Sequence, residues 1–233
     1  MPAMPRPRVA ILSRMTTDLA ELDALTGDYT VSGRTAAGQE YRGTLRMTRH
    51  GALLHAEEGL ESLGVRFGLA MPFGGRVVMA FGAKDQVEIG AYRINGREVM
   101  GMWVPPGASD ADLARCGREE SLAEADGVWK IQRAQAVDGS AYAGTVTLTP
   151  PAGMSFRQRP TPVKMTWSLH DGEYFSFGLA YDDAVYSTFN LAKGQPHGLA
   201  VYEPGSDGLA GEWVGRVLEG SESAVGSETL RNA

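Results

Sequence analysis

From Gly27 onward, apolar and polar residues alternate with a period of two. Tyr29 and Val31 share one face of an extended segment, and Thr30 and Ser32 share the other. Beyond the Ala36-Ala37-Gly38 turn, Tyr41, Leu45 and Met47 lie opposite Arg42, Thr44, Arg46 and Thr48. Each segment therefore reads as a strand with one buried and one wet face. Further strands are expected at 52–58, 64–71, 76–81, 86–94 and 98–104, separated by turns such as Phe73-Gly74-Gly75 and the hairpin dipeptide Asn95-Gly96. Ahead of them the spacing is helical: Ile11/Leu12, Met15, Leu19 and Leu22 recur on one face, and Asp18 with Glu21 forms a capping-box pattern. A short amphipathic helix, in one or two pieces, should close the end of the first β unit.

The pattern occurs twice. Gly27-Asp28-Tyr29 and Tyr41-Arg42-Gly43-Thr44 return as Gly127-Val128-Trp129 and Tyr142-Ala143-Gly144-Thr145. Phe67-Gly68-Leu69-Ala70 returns as Phe177-Gly178-Leu179-Ala180. Tyr92 with Gly101-Met102-Trp103-Val104 returns as Tyr202 with Gly211-Glu212-Trp213-Val214. The ends also echo, Gly117-Arg118-Glu119 against Gly226-Ser227-Glu228. An internal repeat fixes the architecture before any single strand does. The reading is all-β: an N-terminal extension, 1–26, with a short helix, then two tandem antiparallel up-and-down barrels of about eight strands, at 27–122 and 127–230. The short linker 123–126 makes the two units touch, as separate barrels or merged into a larger one. Two connections differ between the units, 105–116 in the first and the Pro-rich 150–162 in the second. Such loops are where function would diverge.

The order Gly-x-aromatic, Tyr-x-Gly-Thr, Gly-x-Trp resembles the calycin group of lipocalin-like and avidin-like barrels, and especially a Gly-rich repeat of bacterial proteins. The resemblance covers about 200 of the 233 residues. It implies that Gly27/Tyr29 and Gly127/Trp129 close the barrel floors.

Composition narrows the function. Thirty glycines and few long apolar helical faces suit short strands. A net charge of -6 without a Lys/Arg stripe argues against nucleic acid as a partner. The N-terminal apolar run 9–12 is too short for a signal-peptide core, and no stretch reaches the roughly 20 apolar residues of a spanning helix. A cytoplasmic protein with no membrane partner is expected. The single cysteine, Cys116, has no neighbouring His and reads as structural. The four histidines are scattered, so no metal and no cofactor is expected.

Barrels of this size either fill with side chains or enclose a small ligand. Alternation proposes inward, ligand-lining positions at Tyr29, Tyr41, Phe67, Met79, Phe81, Trp103, Tyr142, Trp167, Tyr181, Ser187 and Trp213, and places Leu69, Met71, Phe177 and Leu179 among them. That face is aromatic and Met-rich with few polar groups, the composition of a pocket for a small, mostly apolar molecule. A second reading is a cofactor-independent isomerase, cyclase or lyase in which Tyr41 or Tyr142 works with His55 and Glu57 as acid and base. In it the alignment of Leu54 with Trp167 turns His55 outward. A third is a protein-interaction module presenting the two unlike loops. The sequence sets no oligomeric state.

Overall fold

The computed structural model describes residues 19–61, 64–82, 86–105, 116–157, 159–190, 197–216 and 225–233. The first repeat supplies β1 (Gly27–Arg34), β2 (Glu40–His50), β3 (Leu53–Leu60), β4 (Gly64–Phe73), β5 (Arg76–Gly82), β6 (Val87–Asn95), β7 (Glu98–Val104) and β8 (Gly117–Ala125). The second supplies β9 (Val128–Gln135), β10 (Ala141–Tyr142), β11 (Gly144–Thr149), β12 (Thr161–Leu169), β13 (Gly172–Ala180), β14 (Ala184–Asn190), β15 (His197–Gly205), β16 (Gly208–Arg216) and β17 (Val225–Asn232). The segments β10 and β11 correspond to the single strand β2, interrupted at Ala143. The expected all-β architecture of two closed eight-strand antiparallel barrels is present, with one short helix, α1 (Leu19–Ala24). The segment before residue 19, with the expected first helical piece, lies outside the described residues, as does the loop 106–115.

The barrels do not coincide with the repeats. One barrel closes in the order β1-β17-β16-β15-β5-β4-β3-β2 and contains the chain's C-terminus. We call it the terminal barrel. The other, the central barrel, runs β9-β11-β12-β13-β14-β6-β7-β8 and closes through β8–β9. Each takes five strands from one repeat and three from the other. Strand β5 pairs with β15, Val77 opposite Tyr202, where a self-contained repeat would pair it with β6; β14 pairs with β6, Val185 opposite Tyr92. The boundaries 27–122 and 127–230 therefore describe the duplication, and the barrels are 27–82 with 197–232, and 87–190. The exchange is permitted because β6 and β15 are equivalent strands: each offers the neighbouring edge the same inward tyrosine at the same register.

Three apolar cores result. Tyr29, Val31, Leu45, Met47, Met79 and Tyr202 are among those filling the terminal barrel. Tyr92, Trp129, Ile131, Val146, Met165 and Val185 fill the central one. A third core joins the outer faces of β4, β5 and β15 to those of β6, β13 and β14, through Leu69, Met71, Val78, Ile89, Leu179, Tyr186 and Leu199. Burying each such Leu or Val contributes about 1.5–3 kcal/mol. This core corrects the inward assignment of six residues. Leu69, Met71, Phe177, Leu179 and Tyr181 face the other barrel, and Phe67 is exposed on the outside. Strands buried on both faces lose the apolar/polar alternation that reveals which side is in. On β4 the smaller Gly68 and Ala70 face the interior instead.

One end of each barrel is plugged. Leu22 and Leu25, in and after α1, pack into the terminal barrel, and the Tyr29 hydroxyl donates to the Leu25 carbonyl at 2.8 Å. In the central barrel the Pro-rich connection performs this task, with Phe156 packed against the interior. Gly127 is required there: its φ is +72°, and a Cβ would meet the Leu148 carbonyl oxygen at 2.6 Å and the Phe156 ring at 3.0 Å. That connection is a floor plug and not part of a binding mouth.

Candidate functional site

The polar groups of both interiors gather at the opposite end, where β8 and β17 begin. Glu119 on β8 and Glu228 on β17 occupy the same position in the repeat, two residues after Gly117 and Gly226. Those glycines make room for indoles. A Cβ on Gly117 would lie 1.9 Å from Trp103 Cε2, and one on Gly226 would lie 2.3 Å from Trp213 Cε2. Around each glutamate stand two inward tyrosines, Tyr92 and Tyr142 in the central barrel and Tyr202 and Tyr41 in the terminal one.

In the terminal barrel Tyr41 donates to Glu228 Oε2 at 2.7 Å and Tyr202 to Oε1 at 2.5 Å. Glu58, on β3, forms an ion pair with Arg66 on the adjacent β4. The Arg66 guanidinium also lies over the Phe81 ring, 4.1 Å from its centroid. Burial pushes the Glu58 carboxyl up to about 7; Glu228 adds to this, and Arg66 opposes it. Glu58 Oε1, Arg66 Nε and Trp213 Nε1 are buried without a hydrogen-bond partner among the described residues.

In the central barrel no cation among the described residues takes part. Glu119, buried, accepts from Ser121 Oγ at 3.0 Å, Trp167 Nε1 at 3.2 Å and Tyr142 Oη at 3.3 Å. Burial raises its carboxyl above the usual range, and these three donors pull against the rise. Glu88, on β6, pairs with Phe189 of β14 and points inward with Tyr92, two turns of the pleat along. The residue is partly exposed, and burial pushes its carboxyl up to about 7. Tyr92 and Tyr142 are held above the ordinary phenol range by burial first and the charge of Glu119 second. Tyr92 leans on Trp129 and Trp167, with centroids 5.8 and 6.3 Å away. Trp103, Tyr142, Trp167 and Phe189 all remain partly exposed. They form an aromatic rim at the end that holds the buried Glu119.

The proposed lining residues separate into four places. Tyr29, Tyr41, Met79, Phe81 and Trp213 belong to the terminal interior; Trp103, Tyr142, Trp167 and Ser187 belong to the central one. Tyr181 lies in the core between barrels, donating to Glu212 at 3.3 Å, and Phe67 lies outside. His55 and Glu57 alternate with the inward Ala56 and Glu58, so they sit on the outer wall, where the His55 ring packs on His50 with centroids 4.3 Å apart. The carboxylates that meet Tyr41 and Tyr142 are Glu228 and Glu119. The ladder also corrects an alignment: Glu58 opposes Leu45 as Trp167 opposes Val146, so Trp167 replaces Glu58 and not Leu54.

Glu58, Arg66, Glu88, Tyr92, Glu119, Tyr202 and Glu228 were not proposed as site residues. For four of them the signal was present in the repeat itself, because Glu119/Glu228 and Tyr92/Tyr202 recur at matched positions. Among the described residues no three His, Cys, Asp or Glu side chains group as a metal site, and no helix is long and apolar enough to cross a membrane. Comparison of the chain with protein-family models, curated proteins and solved structures finds no match.

Proposed function

We propose that the protein binds a small, mostly apolar molecule inside the central barrel, in the manner of a calycin. The observation that carries this reading is the rim of partly exposed Trp103, Tyr142 and Trp167 over the buried, fully hydrogen-bonded Glu119. Flat apolar walls with one or two fixed polar groups are what a small-molecule site requires. The terminal barrel, in which Arg66 offsets Glu58 and two tyrosines hold Glu228, acts as its support. Native mass spectrometry of protein purified from its own host, compared with a Trp167→Ala variant, tests this. A retained molecule lost in the variant is the expected result. A bare-chain mass, together with unchanged tryptophan fluorescence across a panel of small aromatic compounds, would sink it.

A second reading, a cofactor-independent isomerase or lyase, is favoured by one observation. Glu88 combines a carboxyl near neutrality with a place beside two phenols, a combination suited to proton transfer. If it acts as the base, turnover of a substrate found by mass spectrometry should disappear in Glu88→Gln while binding persists.

A further inference from the structure

We propose that Glu58 and Glu228 share one proton at the polar end of the terminal barrel, and that loss of this proton loosens that end. The pair is a pH-sensitive latch between the β3–β4 wall and β17.

Each strand of the terminal barrel contributes a residue to this cluster. Glu228 on β17 is held by the hydroxyls of Tyr41 on β2 and Tyr202 on β15. Tyr41 lies over Gly33 of β1, where a Cβ would stand 2.2 Å from Tyr41 Cζ, and its ring meets that of Trp213 on β16 edge to face with centroids 6.3 Å apart. Glu58 on β3 is held by Arg66 of β4, whose guanidinium lies over Phe81 of β5. Between these two halves, the Glu58 and Glu228 carboxyl groups stand within hydrogen-bonding reach of each other.

The charges of this cluster do not balance without a proton. Glu58 and Glu228 are 2% and 6% exposed, and among the described residues only Arg66 forms an ion pair with either. Two carboxylates and one guanidinium leave a net negative charge in the interior, which is costly. A single proton removes it. Both oxygens of Glu228 already accept from tyrosines, whereas Glu58 spends Oε2 on Arg66 and keeps Oε1 buried with no donor among the described residues. Oε1 is therefore the atom left to carry the proton, and the Glu228 carboxylate is the acceptor within its reach. Burial first and the Glu228 charge second favour the protonated form of Glu58, and Arg66 opposes them. The two phenols stay neutral donors, because burial first and Glu228 second hold Tyr41 and Tyr202 above the ordinary phenol range. From β1, β5 and β16 the cluster is faced by Gly33, Phe81 and Trp213, none of which titrates. The central barrel provides the contrast: Trp167 stands where Glu58 does and donates to Glu119 at 3.2 Å, so no second acid occupies that position.

Deprotonation replaces the shared hydrogen bond with repulsion between two carboxylates. Tyr41, Arg66 and Trp213 are partly exposed at this end, so the cluster can give way toward water as pH rises.

The test uses the whole protein, with isotope-labelled glutamate carboxyl signals and the Trp213 indole N–H signal followed from about pH 5 to about pH 9 and assigned by substitution. The Glu58 and Glu228 signals should move together in one step well above the ordinary carboxylate range of about 4.3, and the Trp213 signal should move with them. In Glu228→Gln the Glu58 step should fall by about one pH unit, a change of about tenfold in acidity, because the acceptor's charge is gone. In Glu58→Gln the amide stands in for the protonated acid, and the Trp213 step should vanish. Amide exchange in β3 and β17 of the wild type, compared with Glu58→Gln at each pH, should be equal below the step and at least about fivefold faster above it. Unchanged circular dichroism confirms that both variants fold. A Glu58 step in the ordinary range, or one that Glu228→Gln leaves in place, overturns the shared proton. Separate wild-type steps for Glu58, Glu228 and Trp213, read without any variant, overturn it as well. Exchange that stays equal in wild type and Glu58→Gln on both sides of the step overturns the latch.

Discussion

Glu88 makes a quantitative claim about stability. Its carboxyl has no salt bridge or hydrogen-bond donor among the described residues, and burial moves it from 4.5 to about 7. Around it stand Tyr92 on its own strand, Phe189 opposite on β14, and Tyr142. A carboxyl whose folded value is raised stabilises the fold fully below its unfolded value. That contribution is lost as pH rises through the folded value. At about 1.36 kcal/mol per pH unit, the interval between 4.5 and 7 amounts to roughly 3 kcal/mol. Urea unfolding of the wild type and of Glu88→Gln should therefore give free energies whose difference changes with pH. Relative to its value at about pH 4.5, the variant should gain roughly 3 kcal/mol on the wild type by about pH 8, because only the wild type must hold an uncompensated charge. Taking the difference between the two proteins removes the similar titration of Glu58, common to both. If the two stability curves run parallel from pH 4.5 to 8, Glu88 titrates at its ordinary value, and its burial without a partner is refuted.

Other substitutions probe the remaining elements of the structure. Arg66→Met removes the cation beside Glu58 and should cost about 3–5 kcal/mol at about pH 8, with a smaller loss below about pH 6, where Glu58 takes up a proton; chemical denaturation at the two pH values checks this. Gly117→Ala would drive a methyl group into the Trp103 indole, so a loss of about 1–3 kcal/mol and a shifted Trp103 N–H signal are expected. An unchanged signal would contradict the packing of indole on glycine. Leu199→Ala, in the core between the barrels, should cost about 2–5 kcal/mol in thermal or urea unfolding, as much as a lumen leucine such as Leu45. A loss well under 1 kcal/mol would mean that the two barrels touch without packing.

The inward glutamates show how far the interior could be read from the chain. Trp103, Tyr142 and Trp167 are large, occur at alternating positions and follow repeat motifs, so pattern alone placed them facing inward. Glu58, Glu88 and Glu119 were passed over because a charged residue in a strand ordinarily marks the solvent face. Only enclosure by the neighbouring strands distinguishes them from Glu57 or Glu120, one residue away on the outside. His55 illustrates the opposite case: the alignment of Leu54 with Trp167 turned it outward, and the structure places it on the outer wall although the ladder sets Trp167 against Glu58.

The repeat, its strand count, the all-β class and the helical plug are properties of local pattern, and the sequence was sufficient to establish them. Period-two alternation, glycine turns and Tyr-x-Gly-Thr each act over a few residues. The partner of each strand is a different matter. Because β6 and β15 present matched residues to matched edges, pairing β5 with either satisfies the same hydrogen bonds and the same side-chain register. No local feature distinguishes the exchanged arrangement from two self-contained barrels. The tertiary structure made that choice, and with it placed Trp103 in the central barrel and Trp213 in the terminal one.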